Sequence, residues 1–323
     1  MSPSAISEVV DHPTISGKPT AYLIDPYHPA AVTRAQELFN LILPNTPECQ
    51  NWRQAEYLLV RGSRLTAGDI ASCDNLRAIG KQGVGTDKID TAACSARGIK
   101  VLNTPGVNSQ AVAELVLTLV MAVARQVRSI SLRQAAGEAV PKGTCNGILL
   151  HKCTIGIVGM GNIGKKVAKI FRGAFDSSII AFDPYVSEDA WSDVPHKRVK
   201  NVDELCQDSD VLTLHVPLTP QTQDLISYRR MQLMKRSAIL VNTARAGIVN
   251  EQDLCNALDD GLIWGAGLDC HEQEPPTMEK YEQLWTHPNV VSLPHVGAAT
   301  ATTQMETAVA AVERLYEYAK VVE

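Results

Sequence analysis

One stretch, "CTIGIVGMGNIGKKVAKIFRGAF" (residues 153–175), limits the possible folds of this chain more than any other. An aliphatic run ends in Gly159, Gly161 and Gly164, and a segment with helical spacing follows at once. In a strand–turn–helix unit the first glycine permits a tight turn. The second lets the backbone approach a pyrophosphate, and the third lets helix and strand pack closely. The helix start, with Asn162 and Ile163 in its first turn, offers unpaired N–H groups and the positive dipole end to phosphates. A second run, "IIAFD", closes on Asp183, 19 residues after Gly164, where a carboxylate holds adenosine ribose hydroxyls. The glycine spacing alone is weak, but strand, helix and acid together point to a dinucleotide-binding domain. Asp183 also selects the cofactor. A 2′-phosphate set about 4 Å from it meets roughly 1 to 4 kcal/mol of repulsion per unit charge. The next residues are Pro184 and Tyr185, with no arginine, so NAD is expected over NADP.

Strand-like and helix-like segments alternate on both sides of this unit. "AYLIDP", "AEYLLVRG", "LRAIGKQGVG" and "IKVLNTPG" read as four strands before it. "SSIIAFDP", "SDVLTLHVP", "SAILVNTAR", "GAGLDCHEQEP" and "NVVSLPH" continue the series after it. This alternation predicts βα units and parallel sheets. A chain of 323 residues suits two such domains. Residues 1–19 are polar, with prolines and serines and no signal-peptide pattern, and read as a loose tail. The apolar run "AVAELVLTLVMAVAR" carries Glu114 and is too short to span a bilayer. Its hydrophobicity predicts a helix buried on most sides, in a subunit interface of a homodimer. The net charge of -5 leaves no electrostatic footprint for nucleic acid or an anionic membrane. Eight scattered cysteines without a C-x-x-C pair predict reduced thiols in a cytoplasmic protein.

In open α/β sheets, ligands bind beyond the carboxyl ends of the strands, so the residues that close each run are candidates. These include His215 and Pro217 after "VLTL", then Thr243, Ala244 and Arg245 after "ILVN". Asp269, His271, Glu272 and Glu274 follow "GAGL", and His295 and Gly297 follow "VVSLP". Hydride transfer to a ketone needs a proton donor, which a histidine supplies near neutral pH. A carboxylate beside that histidine favours its charged form and orients the ring. A guanidinium binds a substrate carboxylate in bidentate fashion. His295 also has a packing reading and Arg245 a surface ion-pair reading. No His, Cys or acidic pair shows zinc-type spacing, so no metal is expected.

Across nearly all its length after the tail, the chain resembles the D-isomer-specific 2-hydroxyacid dehydrogenases. The resemblance is carried by "GVGTDKID", "VLNTPGVNSQAVAEL", "GIVGMGNIG", "VNTARAGIVNEQDL", "GAGLDCHEQEPP" and "PHVGAAT". It implies two doubly wound parallel-sheet α/β domains, a Rossmann-type NAD-binding domain (107–296) inserted in a flavodoxin-like substrate domain (20–106 and 297–323). The site then lies in a cleft that closes by hinge motion. The resemblance further implies that Arg245 binds the substrate carboxylate, Glu274 pairs with the catalytic histidine, and His295 is the acid/base. Asp269 is placed near the nicotinamide amide, and the N–H groups of Val84 and Gly85 hold the substrate carboxylate. The chain departs from the family pattern at three points. Ala246 replaces a glycine after the arginine, and Cys270 and His271 stand where valine and an aromatic residue are usual. His151 stands where a glycine is common. His271, beside Glu272, reads as a surface or supporting residue.

The substrate is less legible. Within the family, "LLVRGSRLT", "GKQGVGTDKID" and "VLNTPGVNSQAVAEL" look most similar to the phosphoglycerate dehydrogenase branch, here ending at Glu323 with no regulatory domain expected. Arg61, Arg64 and Lys81 are candidates for a substrate phosphate and equally for solvated cations. Reduction of hydroxypyruvate, glyoxylate or another 2-keto acid uses the same three residues and stands as the alternative. A formate-dehydrogenase type carries glutamine beside the histidine, which Glu274 contradicts. A corepressor type that binds NAD retains the triad, and long disordered tails would mark it.

Overall fold

The computed structural model describes residues 17–322, so the expected tail at 1–19 lies outside the described residues up to residue 16. The chain divides into two compact units: Met1–Val107 with Ala301–Glu323, and Asn108–Thr300.

The first unit is built on five parallel strands: β1 (Thr20–Leu23), β2 (Asn40–Ile42), β3 (Tyr57–Val60), β4 (Ala78–Lys81) and β5 (Lys100–Leu102). Their order is β2-β1-β3-β4-β5, which is the flavodoxin-like arrangement. Every residue of β3 and β4 is buried, as expected for parallel strands covered on both faces. On one face the helix Ala301–Val322 lays Ala308, Ala311, Val312, Leu315 and Ala319 onto Ala21, Phe39 and Tyr57. Those five positions recur at three- and four-residue spacing, so a single apolar stripe seats the helix. The other face packs Leu58, Val60 and Ile79 against Leu65, Ile70 and Cys94. Strand β2 was not expected. It is three residues long, only half-buried, and starts two residues after the helix Pro29–Leu38, so it carries no alternation to read.

The second unit has seven parallel strands: β6 (Thr154–Val158), β7 (Ser178–Phe182), β8 (Lys197–Arg198), β9 (Val211–Leu214), β10 (Ile239–Asn242), β11 (Gly265–Leu268) and β12 (Val290–Ser292). The order is β12-β11-β10-β9-β6-β7-β8. Counted from β6, that is the Rossmann order 3-2-1-4-5-6 with one further strand. The chain runs outward from β6 through β7 to β8, then returns to β9 on the other side of β6. A crevice therefore opens at the carboxyl ends of β6 and β9, where the winding reverses. Alternate residues feed two cores. Ile155, Ile157, Ile239 and Val241 face one, and Val158, Leu212, Leu214 and Leu240 face the other.

The apolar helix Ser109–Ala124 belongs to the first of these cores. It buries Val112, Val116, Leu119, Val120 and Val123, while Gln110, Glu114 and Thr118 form an exposed strip. Burial on most sides was expected. The structure agrees: Leu115, Leu117 and Met121 also pack partly buried against the core, and the polar residues, recurring every four positions, share the one exposed strip. Among the described residues no single helix is long and apolar enough to cross a membrane.

Candidate active site

The three motif glycines have three different surroundings. Gly159 has φ +97, and a Cβ there would strike the backbone carbonyl of His215. Gly164 faces the carbonyl of Gly159 and the side chains of Trp191 and Ile157, so it sets how closely the helix Asn162–Phe175 approaches β6. Gly161 caps that helix, and a Cβ there would meet nothing within 4 Å. No side chain caps the helix N-terminus, so its first N–H groups face this open space.

Asp183 stands at the end of β7. Its carboxylate accepts hydrogen bonds from the N–H groups of Met160 and Tyr185, both at 2.9 Å. The first bond ties the acid to the glycine loop, and each oxygen keeps a lone pair for a ribose hydroxyl. The structure adds Arg198, which the sequence reading missed. Its guanidinium donates to the carbonyls of Asp183 (2.8 Å), Val186 (3.3 Å) and Ser187 (2.7 Å) and holds the turn after the acid. It lies 15 residues from Asp183, beyond any local motif.

His215 and Thr243 close β9 and β10. The Nε2 of His215 lies 3.0 Å from Thr213 Oγ1, and burial holds the ring neutral, with its pKa pushed down to about 3. Its Nδ1 and the Oγ1 of Thr243 are buried without a hydrogen-bond partner among the described residues. Buried polar atoms normally have partners. Two orphans beside an open glycine turn therefore fit a polar ligand along the carboxyl ends of the strands, as a dinucleotide is. Pro217 lies exposed just beyond, while Ala244 is buried.

Around the other strand ends, β10 leads into Arg245. The carbonyl of Arg245 accepts from Asn242 Nδ2 at 2.8 Å, and its own Nη1 donates to the Ala244 carbonyl at 2.6 Å. Gly247, with φ +76, turns the chain one residue after Ala246. Past β11, Asp269 is 1% exposed and accepts from the N–H groups of Val296 (2.7 Å) and Gly297 (2.8 Å). Both of its oxygens thus pin the backbone that follows His295. Burial pushes the Asp269 carboxyl up, although these two hydrogen bonds oppose the rise.

His295 sits in this pinned turn at φ +60, a conformation that costs a non-glycine residue of order 1 kcal/mol and recurs at functional sites. Its Nδ1 lies 2.9 and 3.1 Å from the two carboxylate oxygens of Glu274. Both side chains are about 40% exposed, so the far ring nitrogen, Nε2, can meet a ligand. The loop bearing Glu274 is held from below: Glu272 N–H donates to Glu251 (2.9 Å) and Gln273 N–H to the Tyr281 hydroxyl (3.0 Å).

His271 is a supporting residue and not a surface one, being 2% exposed. Its Nε2 lies 2.8 Å from Ser292 Oγ, which also accepts from Trp285 Nε1 at 2.8 Å. The serine hydroxyl thus bridges the indole of Trp285 and the imidazole of His271. Its Nδ1 lies 3.9 Å from Glu251, and burial lowers the pKa of the ring, which keeps it neutral. His271 therefore joins the loop of Glu274 to the strand that leads into His295. Its apolar neighbours Tyr281 and Trp285 occupy a helix ten and more residues away, so its burial was not legible locally.

In the first unit, the Gln82–Gly85 loop follows β4. Gly83 has φ +97 and exchanges two hydrogen bonds with Thr104, each at 3.0 Å. Asn103 Nδ2 donates to the Val84 carbonyl at 2.7 Å. With the carbonyl side of the loop engaged, the N–H groups of Val84 and Gly85 make no hydrogen bond among the described residues. Lys81 is buried, and its Nζ donates to the carbonyls of Arg61 (2.8 Å) and Gln82 (2.6 Å). The Arg61 side chain is exposed and reaches Gln304 at 3.5 Å, and Arg64 is exposed.

Residues 117–297 match the profile of the D-isomer specific 2-hydroxyacid dehydrogenase, NAD binding domain. The chain is 39% identical over 265 residues to a hydroxypyruvate reductase of Thermotoga maritima, covering 82% of this chain and 85% of that protein. It is 38% identical over 285 residues to a D-3-phosphoglycerate dehydrogenase of Methanocaldococcus jannaschii, covering 87% of this chain but 53% of the relative. This chain thus spans about half the length of that protein. The crystal structure of the TT0316 protein from Thermus thermophilus superposes with a TM-score of 0.82 at 32% identity, covering 94% of this chain and 97% of that one. The chain belongs to the D-isomer specific 2-hydroxyacid dehydrogenase family, and its second unit contains the family's NAD-binding domain.

Proposed function

We propose that this chain interconverts a 2-keto acid and a D-2-hydroxy acid by hydride transfer with NAD. The observation that carries the reading is the His295–Glu274 pair, set in a strained and doubly pinned turn at the carboxyl edge of the NAD-binding sheet. Bound NADH supplies the hydride. His295 donates a proton from Nε2 to the keto oxygen, because Nδ1 is taken up by Glu274. Glu274 fixes the ring and balances the charge of the imidazolium. Arg245 pairs with the substrate carboxylate, and the N–H groups of Val84 and Gly85 supply anion-binding donors. Asp183 holds the adenosine ribose and disfavours a 2′-phosphate, which supports NAD over NADP.

For the substrate we put forward two readings. A phosphorylated keto acid, as the name of the archaeal relative says for that protein, would use Arg61 and Arg64. An unphosphorylated one, hydroxypyruvate or glyoxylate, is favoured by Lys81, whose ammonium is buried against two carbonyls. A steady-state screen with NADH against hydroxypyruvate, glyoxylate, pyruvate and phosphohydroxypyruvate tests both. Turnover of none of them would overturn the reaction, and preference for phosphohydroxypyruvate would overturn the second substrate reading.

We further infer a cytoplasmic homodimer. Eight unpaired cysteines support the compartment. Val127, Leu132 and Leu149, each exposed in the stretch between helix Ser109–Ala124 and β6, support the dimer. A monomeric mass in solution would contradict it.

A further inference from the structure

Cys270 lies beside the catalytic pair. Its thiol sulfur, a carboxylate oxygen of Glu274 and a ring nitrogen of His295 are all within 4.8 Å of one another. We propose that these three side chains form a site for a soft divalent cation, Zn²⁺ or Cd²⁺, whose occupancy silences the acid/base pair.

The donor set is thiolate, imidazole and carboxylate, which is zinc chemistry. Tetrahedral bonds of about 2.3 Å to sulfur and about 2.0–2.1 Å to nitrogen and oxygen place ligand atoms about 3.3–3.6 Å apart. From at most 4.8 Å the ligand atoms must close by no more than about 1.2–1.5 Å. Glu274 and His295 have room for it, being about 40% exposed. Three protein ligands leave the fourth position to water.

The local charge also suits a dication. The charges acting on Cys270 are those of Asp269 and Glu274 against Arg245, so the surroundings are net negative even before the thiol ionises. Burial pushes the Cys270 thiol up, so it stays protonated until a metal takes its place. Binding forms a metal–sulfur bond and releases the thiol proton to solvent, with no change of oxidation state.

No sequence spacing announces this site, because its ligands come from the loop after β11 and the turn after β12. The family pattern has valine at position 270, which would leave two ligands of the three. The proposed hydride transfer needs no metal, so the site is inhibitory. It goes beyond the proposed reaction, since a bound metal and a proton-donating His295 exclude one another.

The test is a Cd²⁺ titration of the full chain, read by the ultraviolet thiolate-to-metal charge-transfer band. Wild type is compared with Cys270→Val, Cys270→Ser and, as a control, Cys145→Ser. Thermal melts show that each variant is folded. The expected result is a band that both Cys270 variants lose and Cys145→Ser keeps, with affinity weakened at least about 10- to 100-fold. Zn²⁺ inhibition of keto-acid reduction, scaled to each protein's own uninhibited rate, weakens in parallel and is reversed by chelation. An unchanged band and affinity in Cys270→Val overturns the site, as does a wild-type band lost in Cys145→Ser. Cd²⁺ bound through Cys270 by a protein that reduces no keto acid supports the site and overturns only the proposed reaction.

Discussion

At the scale of single residues, the site rests on divided labour between pinning and chemistry. Asp269 spends both oxygens on the backbone after His295, and Glu274 turns both of its oxygens to the ring. His295→Gln is therefore expected to keep NADH binding and lose about 10²- to 10⁴-fold in kcat, as measured by steady-state kinetics alongside fluorescence titration of NADH. Arg245→Lys keeps the charge but not the planar fork. Its expected effect is a KM for the keto acid raised about tenfold or more, since a charged hydrogen bond contributes about 1.5–3 kcal/mol. A KM within twofold of wild type would remove Arg245 from the substrate.

At the scale of elements, the glycine turn separates ligand space from packing space. Gly161 borders open space, so Gly161→Val is expected to cost only about 1 kcal/mol, as a poorer helix cap, while weakening NADH binding at least about tenfold. Gly164 is filled on every side. Gly164→Val is expected to destabilise the fold by about 1–3 kcal/mol, seen in urea titration. If the two variants behaved alike, the turn would not be divided in this way.

The same scale shows what the sequence could reveal. Strands such as β6, β9 and β10 were legible because burial on both faces leaves continuous aliphatic runs. β2 and β8, edge strands of three and two residues, are too short to carry a pattern. The glycine turn and Asp183 could be read from spacing because one strand–turn–helix unit contains them nearly whole. The His295–Glu274 pair spans 21 residues and was readable only through the family's motifs. His271, Cys270 and Arg198 depend on which loops and strand ends become neighbours, and no local signal encodes that.

For the whole molecule, buried neutral histidines set an acid limit. Burial lowers the pKa of His215, to about 3, and those of His271 and His287 from their usual 6.5. The unfolded chain then binds more protons than the folded one, so this stability is present above pH 6.5 and is lost as pH falls toward the folded values. Asp269 and Glu251, whose carboxyls burial raises above their usual 3.8 and 4.5, act with the opposite sign. His215, lowered from 6.5 to about 3, sets the sign of the change just below pH 6.5. The melting temperature should fall there, and His215→Gln should flatten the fall. A melting temperature constant from pH 7 to 5 would contradict this account.

The central claim is that His295 passes a proton while NAD carries the hydride. Its most direct test is kcat/KM for NADH-dependent reduction of the best 2-keto acid by wild type and by His295→Gln, with NADH affinity measured on both. The account predicts matching affinities and a kcat/KM lowered by about 10²-fold or more. Turnover within a few-fold of wild type in a variant that binds NADH normally would contradict it.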